Sequence, residues 1–366
     1  MAKITSFDVV PLRIPFQDGS AGVGLMPTKW THLDFALVRL QSEDGSVGWG
    51  DAFAYNCRTA VCAALEDMVK PLILGLDVEP TSTWLTAVNE ELQKRLHLHG
   101  RYGITTFAIS AVDIALWDLA AKQAGQSLAT FLGGAKRAEL PAYASLVRYS
   151  EPDLVARFCE QAAHEGYKTV KLHEITVPAI QKARETLGQD IALMTDVNCN
   201  WSVAEARDIL PEMKNLGLYW VEEPVFPPDD AETLAKLEAD FGVAMASGEN
   251  ACTAVEFARV VPWITFPQPS VTKVGGVTEF IKVCDLAVTH RKTVMPHAPY
   301  FGPGYWATIQ IMAARPECRL FERFFVWPEL HLSQDIPLPV DGAISVPDGV
   351  GLGFEPDEDV IARFRV

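Results

Sequence analysis

The chain has 366 residues, of which 49% are hydrophobic and 21% are charged, and its formal net charge is −16. This length exceeds one usual domain and predicts two domains, or one barrel with additions, around a large core. The acidic balance argues against nucleic-acid binding, because phosphate groups require a basic surface that is not visible in the sequence.

Cysteine content and apolar runs indicate the compartment. The seven cysteines are odd in number, scattered and free of C-x-x-C pairs, which is typical of reduced thiols in a cytosolic protein. The first residues, MAKITSFDVVPLRIPF, alternate like a strand and lack a signal-peptide pattern. No apolar run reaches about 18 residues, so we expect no membrane span. These features predict a soluble, cytoplasmic protein without membrane contact.

The first 130 residues predict a capping domain of mixed α and β structure. Antiparallel strands are expected over about the first 50 residues, with a turn at Glu43-Asp44-Gly45. A Gly-rich stretch from Gln17 to His32 lies between them and predicts a mobile flap. Helical periodicity follows, and it is clearest from Phe107 to Gly125, where the glycine ends the helix.

Residues 131–327 predict a barrel of parallel strands. Strand-like and helix-like segments alternate there, and eight strands are what a closed parallel barrel requires. The candidate strands begin near Pro141, Thr169, Ile191, Leu218, Val243, Trp263, Thr293 and Arg319. Residues 328–366 are rich in Pro and Gly, and we expect them to form loops and short strands that return to the first domain.

Three acidic residues recur at the same position of this strand–helix repeat. Asp196, Glu222 and Glu249 each follow a short apolar run, at intervals of 26 and 27 residues. Taken singly, each is more often a surface charge or a helix cap. At one phase of a barrel they would converge, and three unpaired anions would repel one another and be costly to desolvate. A hard divalent cation resolves this repulsion, and oxygen ligands favour Mg²⁺.

Further polar residues share strand faces near this trio. Lys171 and His173 are two residues apart on a predicted strand, so their side chains face the same side. Beside a carboxylate-bound cation they could neutralise charge and accept a proton, although incidental polar residues at a strand end remain an alternative. Asn198 lies two residues after Asp196 and could bind a ligand or a metal-bound water.

Two strand ends later in the chain carry candidate acid–base groups. His297 ends an apolar run and could act as an acid or a base, or could simply bond to backbone. Glu322 could be a catalytic carboxyl or the partner of a neighbouring arginine. Lys273 precedes a glycine pair, but alternation from Ser270 places it on the opposite strand face, so we interpret it as structural.

Taken together, the chain resembles the enolase superfamily, and is most similar to its mandelate racemase subgroup. The resemblance covers nearly the whole chain and is carried by AISAVDIALWDLAAK, GYKTVKLH, TDVN, WVEEP, SGEN, KVGGVTE, MPH and LFER. It implies an α+β capping domain over a modified (β/α)7β TIM-type barrel, with Mg²⁺ held by Asp196, Glu222 and Glu249. It also implies abstraction of a proton α to a carboxylate to give an enediolate, and assembly into homo-oligomers.

The resemblance implies roles for the remaining residues. Lys171 matches the first lysine of a K-x-K pair, which neutralises the substrate carboxylate, and His173 stands where the second, proton-abstracting lysine usually lies. His297 matches a histidine on the opposite face of the substrate, and Glu322 matches a carboxyl that hydrogen-bonds the substrate carboxylate. Ser270 replaces the aspartate that usually supports this histidine. A hydroxyl can orient an imidazole but cannot stabilise its charged form as a carboxylate does.

We therefore expect a Mg²⁺-dependent dehydratase of a hydroxylated carboxylic acid, a sugar acid, that yields a 2-keto-3-deoxy acid. His173 would take the α-proton and His297 would assist loss of the β-hydroxyl. Residues in and near the flap would select the substrate: Lys29, Trp30, His32, Tyr55 and Asn56. The alternatives are a carboxylate racemase, epimerase or cycloisomerase acting through the same enediolate, and a metal-binding relative that has lost catalysis.

Overall fold

The computed structural model describes residues 2–19, 30–298 and 300–366. Its N-terminal part contains an antiparallel sheet, as the sequence predicts. The strands are β1 (Ala2–Gln17), β2 (His32–Ser42), β3 (Val47–Ala52) and β4 (Asp77–Val78). The β2–β3 turn is tight because Gly45 takes a φ of 87° and the Asp44 carboxylate accepts a bond from the Ser46 N–H.

Helices cover one face of this sheet. They are α1 (Arg58–Ala64), α2 (Lys70–Ile73), α3 (Ser82–Leu96), α4 (Ile104–Gln123) and α5 (Leu128–Phe131). Helix α4 approaches β3 so closely that a Cβ at Gly50 would lie 2.0 Å from the Ala111 carbonyl oxygen. Among the described residues only α4 is long and apolar enough to cross a membrane, but 89% of its apolar window is buried, as expected of a core helix.

The second part alternates parallel strands with helices, and the predicted combination of a curled parallel sheet with an α+β cap is confirmed. Its sheet strands are β5 (Glu139–Ser145), β6 (Thr169–Leu172), β7 (Ala192–Asp196), β8 (Leu218–Glu222), β9 (Met245–Ser247), β10 (Phe266–Pro267) and β11 (Phe321–Phe324). The intervening helices are α6 (Pro152–His164), α7 (Val177–Leu187), α8 (Val203–Met213), α9 (Ala231–Phe241), α10 (Thr253–Val260), α11 (Gly276–Thr289) and α12 (Pro303–Ala314).

The strand predicted near Thr293 is not a regular strand, and this prediction is wrong in detail. The segment forms only single parallel bridges, Val294 to Cys318 and Ser270 to His297. The reason is proline: residues 267, 269 and 296 lack the N–H that a ladder needs. The remaining donors still close the ring, since the Met295 N–H donates to the Pro267 carbonyl and the His297 N–H donates to the Pro269 carbonyl.

Two successive layers of inward side chains fill the barrel. The lower layer is a buried cluster of largely apolar and aromatic residues, comprising Tyr143, Met194, Trp220, Ala246, Phe266 and Met295. Side chains alternate with a period of two, so the residues two positions further along face inward as well. On five of these segments they are polar and buried, namely Ser145, Asp196, Glu222, Gln268 and His297. The carboxyl ends of the strands therefore form a polar mouth.

The C-terminal tail contacts both parts of the molecule. Its elements are β12 (Trp327–Pro328), β13 (Ala343–Ser345) and α13 (Glu358–Phe364). Strand β12 pairs with β1 in the cap sheet, whereas β13 pairs antiparallel with β5 of the barrel. An isolated bridge from Arg365 to Leu12 returns the last residues to the cap.

Asp51 joins the cap to the barrel through one buried hydrogen bond. Its carboxylate, on β3, accepts the N–H of Gly304 in the first turn of α12 at 2.5 Å. Burial raises the pKa of Asp51 to about 7, and the Gly304 hydrogen bond only partly offsets this effect. Because the folded-state pKa exceeds the unfolded value, the stability contributed by the protonated form is lost as pH rises from about 4 through about 7.

We expect Asp51→Asn to raise the free energy of unfolding at pH 8 by about 1–3 kcal/mol relative to wild type, because the amide keeps the acceptor without the buried charge. At pH 4 the two proteins should differ little. Denaturant unfolding at both pH values measures this difference. The exposed Asp208→Asn is the matched control, and an unchanged difference between wild type and Asp51→Asn across this range would contradict the assignment.

Candidate active site

The three predicted metal ligands converge at the mouth of the barrel. Asp196 and Glu222 end β7 and β8 and are register partners, and Glu249 follows β9. One carboxylate oxygen of each lies within 4.8 Å of the others. The Asp196 Oδ2 atom is buried without a hydrogen-bond donor in the described structure. Three hard oxygen ligands, one of them unsatisfied, fit a divalent cation such as Mg²⁺.

Electrostatics supports the same conclusion. Burial, followed by the charge of Asp196, raises the pKa of Glu222 well above its usual range, despite the opposing effect of Lys171. Burial also acts to raise the pKa of Glu249, but Lys273 and His297 outweigh it and hold that pKa low. Without a cation, therefore, the cluster resists full ionisation.

Lys171 and Glu322 form an ion pair beside the trio. The buried Lys171 Nζ lies 2.9 Å from a Glu322 oxygen and 3.2 Å from both oxygens of Glu222. The second Glu322 oxygen accepts the Ala298 N–H at 3.2 Å. Burial would raise the pKa of Glu322, but Lys171 and His297 lower it to about 2. In the described residues Glu322 pairs with Lys171, and no ion pair joins it to the adjacent arginines.

The two histidines present their Nε2 atoms to the carboxylate cluster. The His173 Nδ1 atom contacts the Leu146 carbonyl oxygen, which can only accept, so Nδ1 carries the proton and the neutral ring keeps Nε2 free. His173 Nε2 lies 3.3 Å from Asp196. His297 Nε2 lies 3.0 Å from Glu249, and its buried Nδ1 has no partner in the described structure.

Ser270 does not hydrogen-bond His297, contrary to the expectation that it takes over the supporting role. The two residues are bridge partners in the backbone, but the Ser270 hydroxyl contacts the Thr272 hydroxyl at 3.3 Å. The orphaned Nδ1 of His297 is therefore not oriented by a side chain in the described structure.

A cavity of about 280 Å³ opens above these groups. Seven of the predicted site residues line it, namely Trp30, Tyr55, His173, Asn198, Glu249, His297 and Glu322. The other described site residues are not among its lining residues, namely Lys171, Asp196, Glu222, His32, Asn56 and Ser270, the last three of which were predicted to bind substrate. His32 turns its ring to the Thr31 hydroxyl, and Asn56 is exposed in a turn with a φ of 54°. Lys29 lies outside the described residues.

Several lining residues were not predicted, and Lys273 is the most informative. Lys273 lines the cavity, so the prediction that alternation places it on the opposite face is wrong. The error came from extending strand alternation past Pro267, where β10 ends. Phe324 also lines the cavity and lies two residues after Glu322, so the period of two could have identified it.

Comparison with protein families gives two adjoining matches. Residues 8–133 match the mandelate racemase / muconate lactonizing enzyme N-terminal domain, and residues 154–360 match the enolase C-terminal domain-like family. Together they cover most of the chain.

Individual relatives match over nearly their full length. The chain is 31% identical over 362 residues to 3,6-anhydro-alpha-L-galactonate cycloisomerase from Streptomyces coelicolor, covering 93% of this chain and 96% of that protein. It is 27% identical to arabinonate dehydratase from Saccharolobus solfataricus, covering 91% of each. A solved racemase from Streptomyces coelicolor with bound magnesium superimposes with a TM-score of 0.86 at 26% identity, covering 99% of this chain and 100% of that one. The chain therefore belongs to the mandelate racemase / muconate lactonizing enzyme family of the enolase superfamily, whose curated members include sugar-acid dehydratases and cycloisomerases.

Proposed function

We propose that the protein is a Mg²⁺-dependent lyase that dehydrates a sugar acid to a 2-keto-3-deoxy acid. The proposal rests on one observation: two imidazoles line the same cavity and lie beside different carboxylates of the trio. His173 lies beside Asp196, and His297 lies beside Glu249. Dehydration needs one group that removes the α-proton and another that protonates the leaving hydroxyl, and this pair can supply both.

Asp196, Glu222 and Glu249 would hold the cation, which when bound would offset the negative charge that develops on the substrate carboxylate. Lys171 is the ammonium that this carboxylate meets. The substrate carboxylate would then lie beside the ionised carboxylate of Glu322, one oxygen of which lies 2.9 Å from Lys171. Two anions so close together favour a shared proton, so Glu322 would take up a proton and donate a hydrogen bond to the substrate.

His173 is the base in this proposal. Its Nε2 is free because Nδ1 donates to the Leu146 carbonyl, and this bond also orients the ring. Nε2 takes the proton from C2 of the acid. The electron pair of that C–H bond moves into the carboxylate and gives an enediolate. This pair then forms the C2–C3 double bond as the C3–O bond breaks, and His297 protonates the departing hydroxyl to give water. The enol product then tautomerises to the 2-keto-3-deoxy acid.

A cycloisomerase is the second candidate, and the cavity wall favours it. Trp30 lies 4.3 Å from Tyr55 and 5.3 Å from Phe324 between ring centroids, and Phe53 lies 5.7 Å from Tyr300. All five rings line the cavity. Such a wall suits the apolar face of a cyclic acid. In a cyclic acid the group expelled would be a ring oxygen that stays attached to the product, so no water would be lost.

Dehydration is tested by incubating the Mg²⁺-loaded protein with matched panels of open-chain and ring-containing sugar acids. A 2-keto product lighter than its substrate by one water supports the lyase. A 2-keto product of unchanged mass from a cyclic acid supports the cycloisomerase. Deuterium entering C2 from D₂O without a keto product would instead support a racemase or epimerase.

The metal assignment predicts a specific loss of Mg²⁺ stabilisation. At about 100 times its Kd, Mg²⁺ should stabilise the wild-type protein by about 2.7 kcal/mol. Asp196→Asn should lose most of that increment, because the cation loses one of three charged ligands. Thermal unfolding with Mg²⁺ and with EDTA measures the increment. Asp190→Asn, an exposed position just before β7, is the control, and an undiminished increment in Asp196→Asn would refute the site.

The two histidines should separate the two proton transfers. His173→Gln should reduce both C2 exchange in D₂O and product formation by about 10²–10⁴-fold, because no base remains for the first step. His297→Gln should reduce product formation by a similar factor while C2 exchange persists. Mass spectrometry of the recovered substrate and product gives both rates. Exchange that survives His173→Gln but not His297→Gln would reverse the assigned roles.

We also propose a cellular compartment and an assembly state for the protein. We expect a cytoplasmic homo-oligomer acting on a small carboxylate, without nucleic-acid or membrane partners. The acidic composition and the cation-dependent chemistry support this view. Light scattering of the purified protein measures the assembly.

A further inference from the structure

One buried cation at the cavity has no role in the chemistry described above. Lys273 Nζ lies 3.0 Å from Asn250 Oδ1, 3.5 Å from Glu249 Oε1 and 4.3 Å from the centre of the Phe53 ring. Its side chain is only 4% exposed. A buried ammonium is retained only where its hydrogen bonds and charge are compensated, so these three contacts need an explanation.

We infer that Lys273 is a positioning residue that fixes the orientation of the Asn250 amide and thereby holds Glu249 in place as a metal ligand. The inference rests on the proposed metal site, but it concerns how the protein builds one ligand of that site. It does not depend on which carboxylic acid is the substrate.

The argument begins with the chemistry of the amide. An ammonium group only donates hydrogen bonds, so the atom of Asn250 that faces Lys273 must be the carbonyl oxygen. The amide nitrogen must then point the other way. It donates at 3.1 Å to Glu223 Oε2 and at 3.1 Å to Glu249 Oε1. Lys273 and the two carboxylates therefore favour the same orientation of Asn250, and Lys273 supplies the donor that its oxygen needs.

The alternative orientation of Asn250 is unfavourable for the site. A flipped amide would turn its oxygen toward two carboxylates, replacing two hydrogen bonds with lone-pair repulsion. Glu223 and Glu249 would then lose the donor that separates them. Glu249 would keep His297, which bonds its other oxygen at 3.0 Å, and the more distant Lys273 ammonium at 3.5 Å. Glu249 is the member of the trio that lies outside a regular strand, so its carboxylate would no longer be held in one position.

Phe53 shields the lysine end of this network, whereas Asn250 at the other end is exposed. Phe53 follows β3 in the cap, and its ring covers the Lys273 ammonium, a cation–π contact. The Phe53 N–H donates to the Thr272 carbonyl at 3.2 Å, which fastens the cap to the loop that carries Lys273.

Charge and positioning predict opposite results for removal of the lysine. If Lys273 acted only through its charge, Lys273→Met would make the site more negative and would bind Mg²⁺ more tightly. If it positions Glu249 through Asn250, the same variant would bind Mg²⁺ more weakly, since loss of a group that orients a ligand typically reduces metal affinity about 10–100-fold.

The experiment is calorimetric titration of Mg²⁺ into the full-length apo protein, without substrate, at fixed pH and ionic strength. We expect Lys273→Met to bind Mg²⁺ at least about 10-fold more weakly than wild type. Lys273→Arg should recover part of the affinity, because the guanidinium also only donates. Lys214→Met, an exposed lysine after α8, is the matched control and should bind like wild type.

Asn250→Ala completes a double-mutant cycle. If Lys273 acts through the amide, Asn250→Ala should weaken Mg²⁺ binding, and adding Lys273→Met should change it less than twofold further. This variant also carries the test if Lys273→Met does not fold by circular dichroism. Equal or tighter Mg²⁺ binding by Lys273→Met, or additive losses in the cycle, would overturn the inference and leave the proposed function intact. Absence of Mg²⁺ binding by wild type would overturn both.

Discussion

Like-charge repulsion at the barrel mouth is the constraint around which the rest of the structure is arranged. Asp196, Glu222 and Glu249 bring carboxylate oxygens within 4.8 Å of one another in a largely buried setting. Lys171 and Lys273 contact this cluster from different sides, and each also contacts a further polar partner. Two lysines cannot neutralise three carboxylates together with Glu223 and Glu322, and a divalent cation makes up much of the remaining difference.

The barrel and the cap contribute different kinds of side chain to the site. Strand ends supply the charged groups, because parallel strands place alternate residues in one mouth. The cap supplies aromatic rings, Trp30, Phe53 and Tyr55, which line the cavity above that mouth. Hydrogen bonds between the cap and the barrel, such as the one between Asp51 and Gly304, keep these aromatic rings next to the site.

Local periodicity predicted the groups that lie on strands, and it failed where regular strands end. The spacing of the acidic trio and the two-residue step from Lys171 to His173 were enough to bring these residues together. Lys273 was missed because β10 ends at Pro267, after which alternation no longer applies. The flap prediction placed His32 and Asn56 at the site from composition alone, whereas local geometry turns the His32 ring to Thr31 and leaves Asn56 exposed in a turn.

The proline-interrupted segment that carries His297 gives the barrel one weak seam. Elsewhere a register of successive residues ties each strand to its neighbour, but here single bridges at Val294 and His297 hold the segment. A segment joined at isolated points can shift slightly without breaking a continuous ladder of backbone hydrogen bonds. His297 therefore lies on a segment that can adjust its position relative to the substrate, whereas His173 directly follows a strand that is paired on both sides.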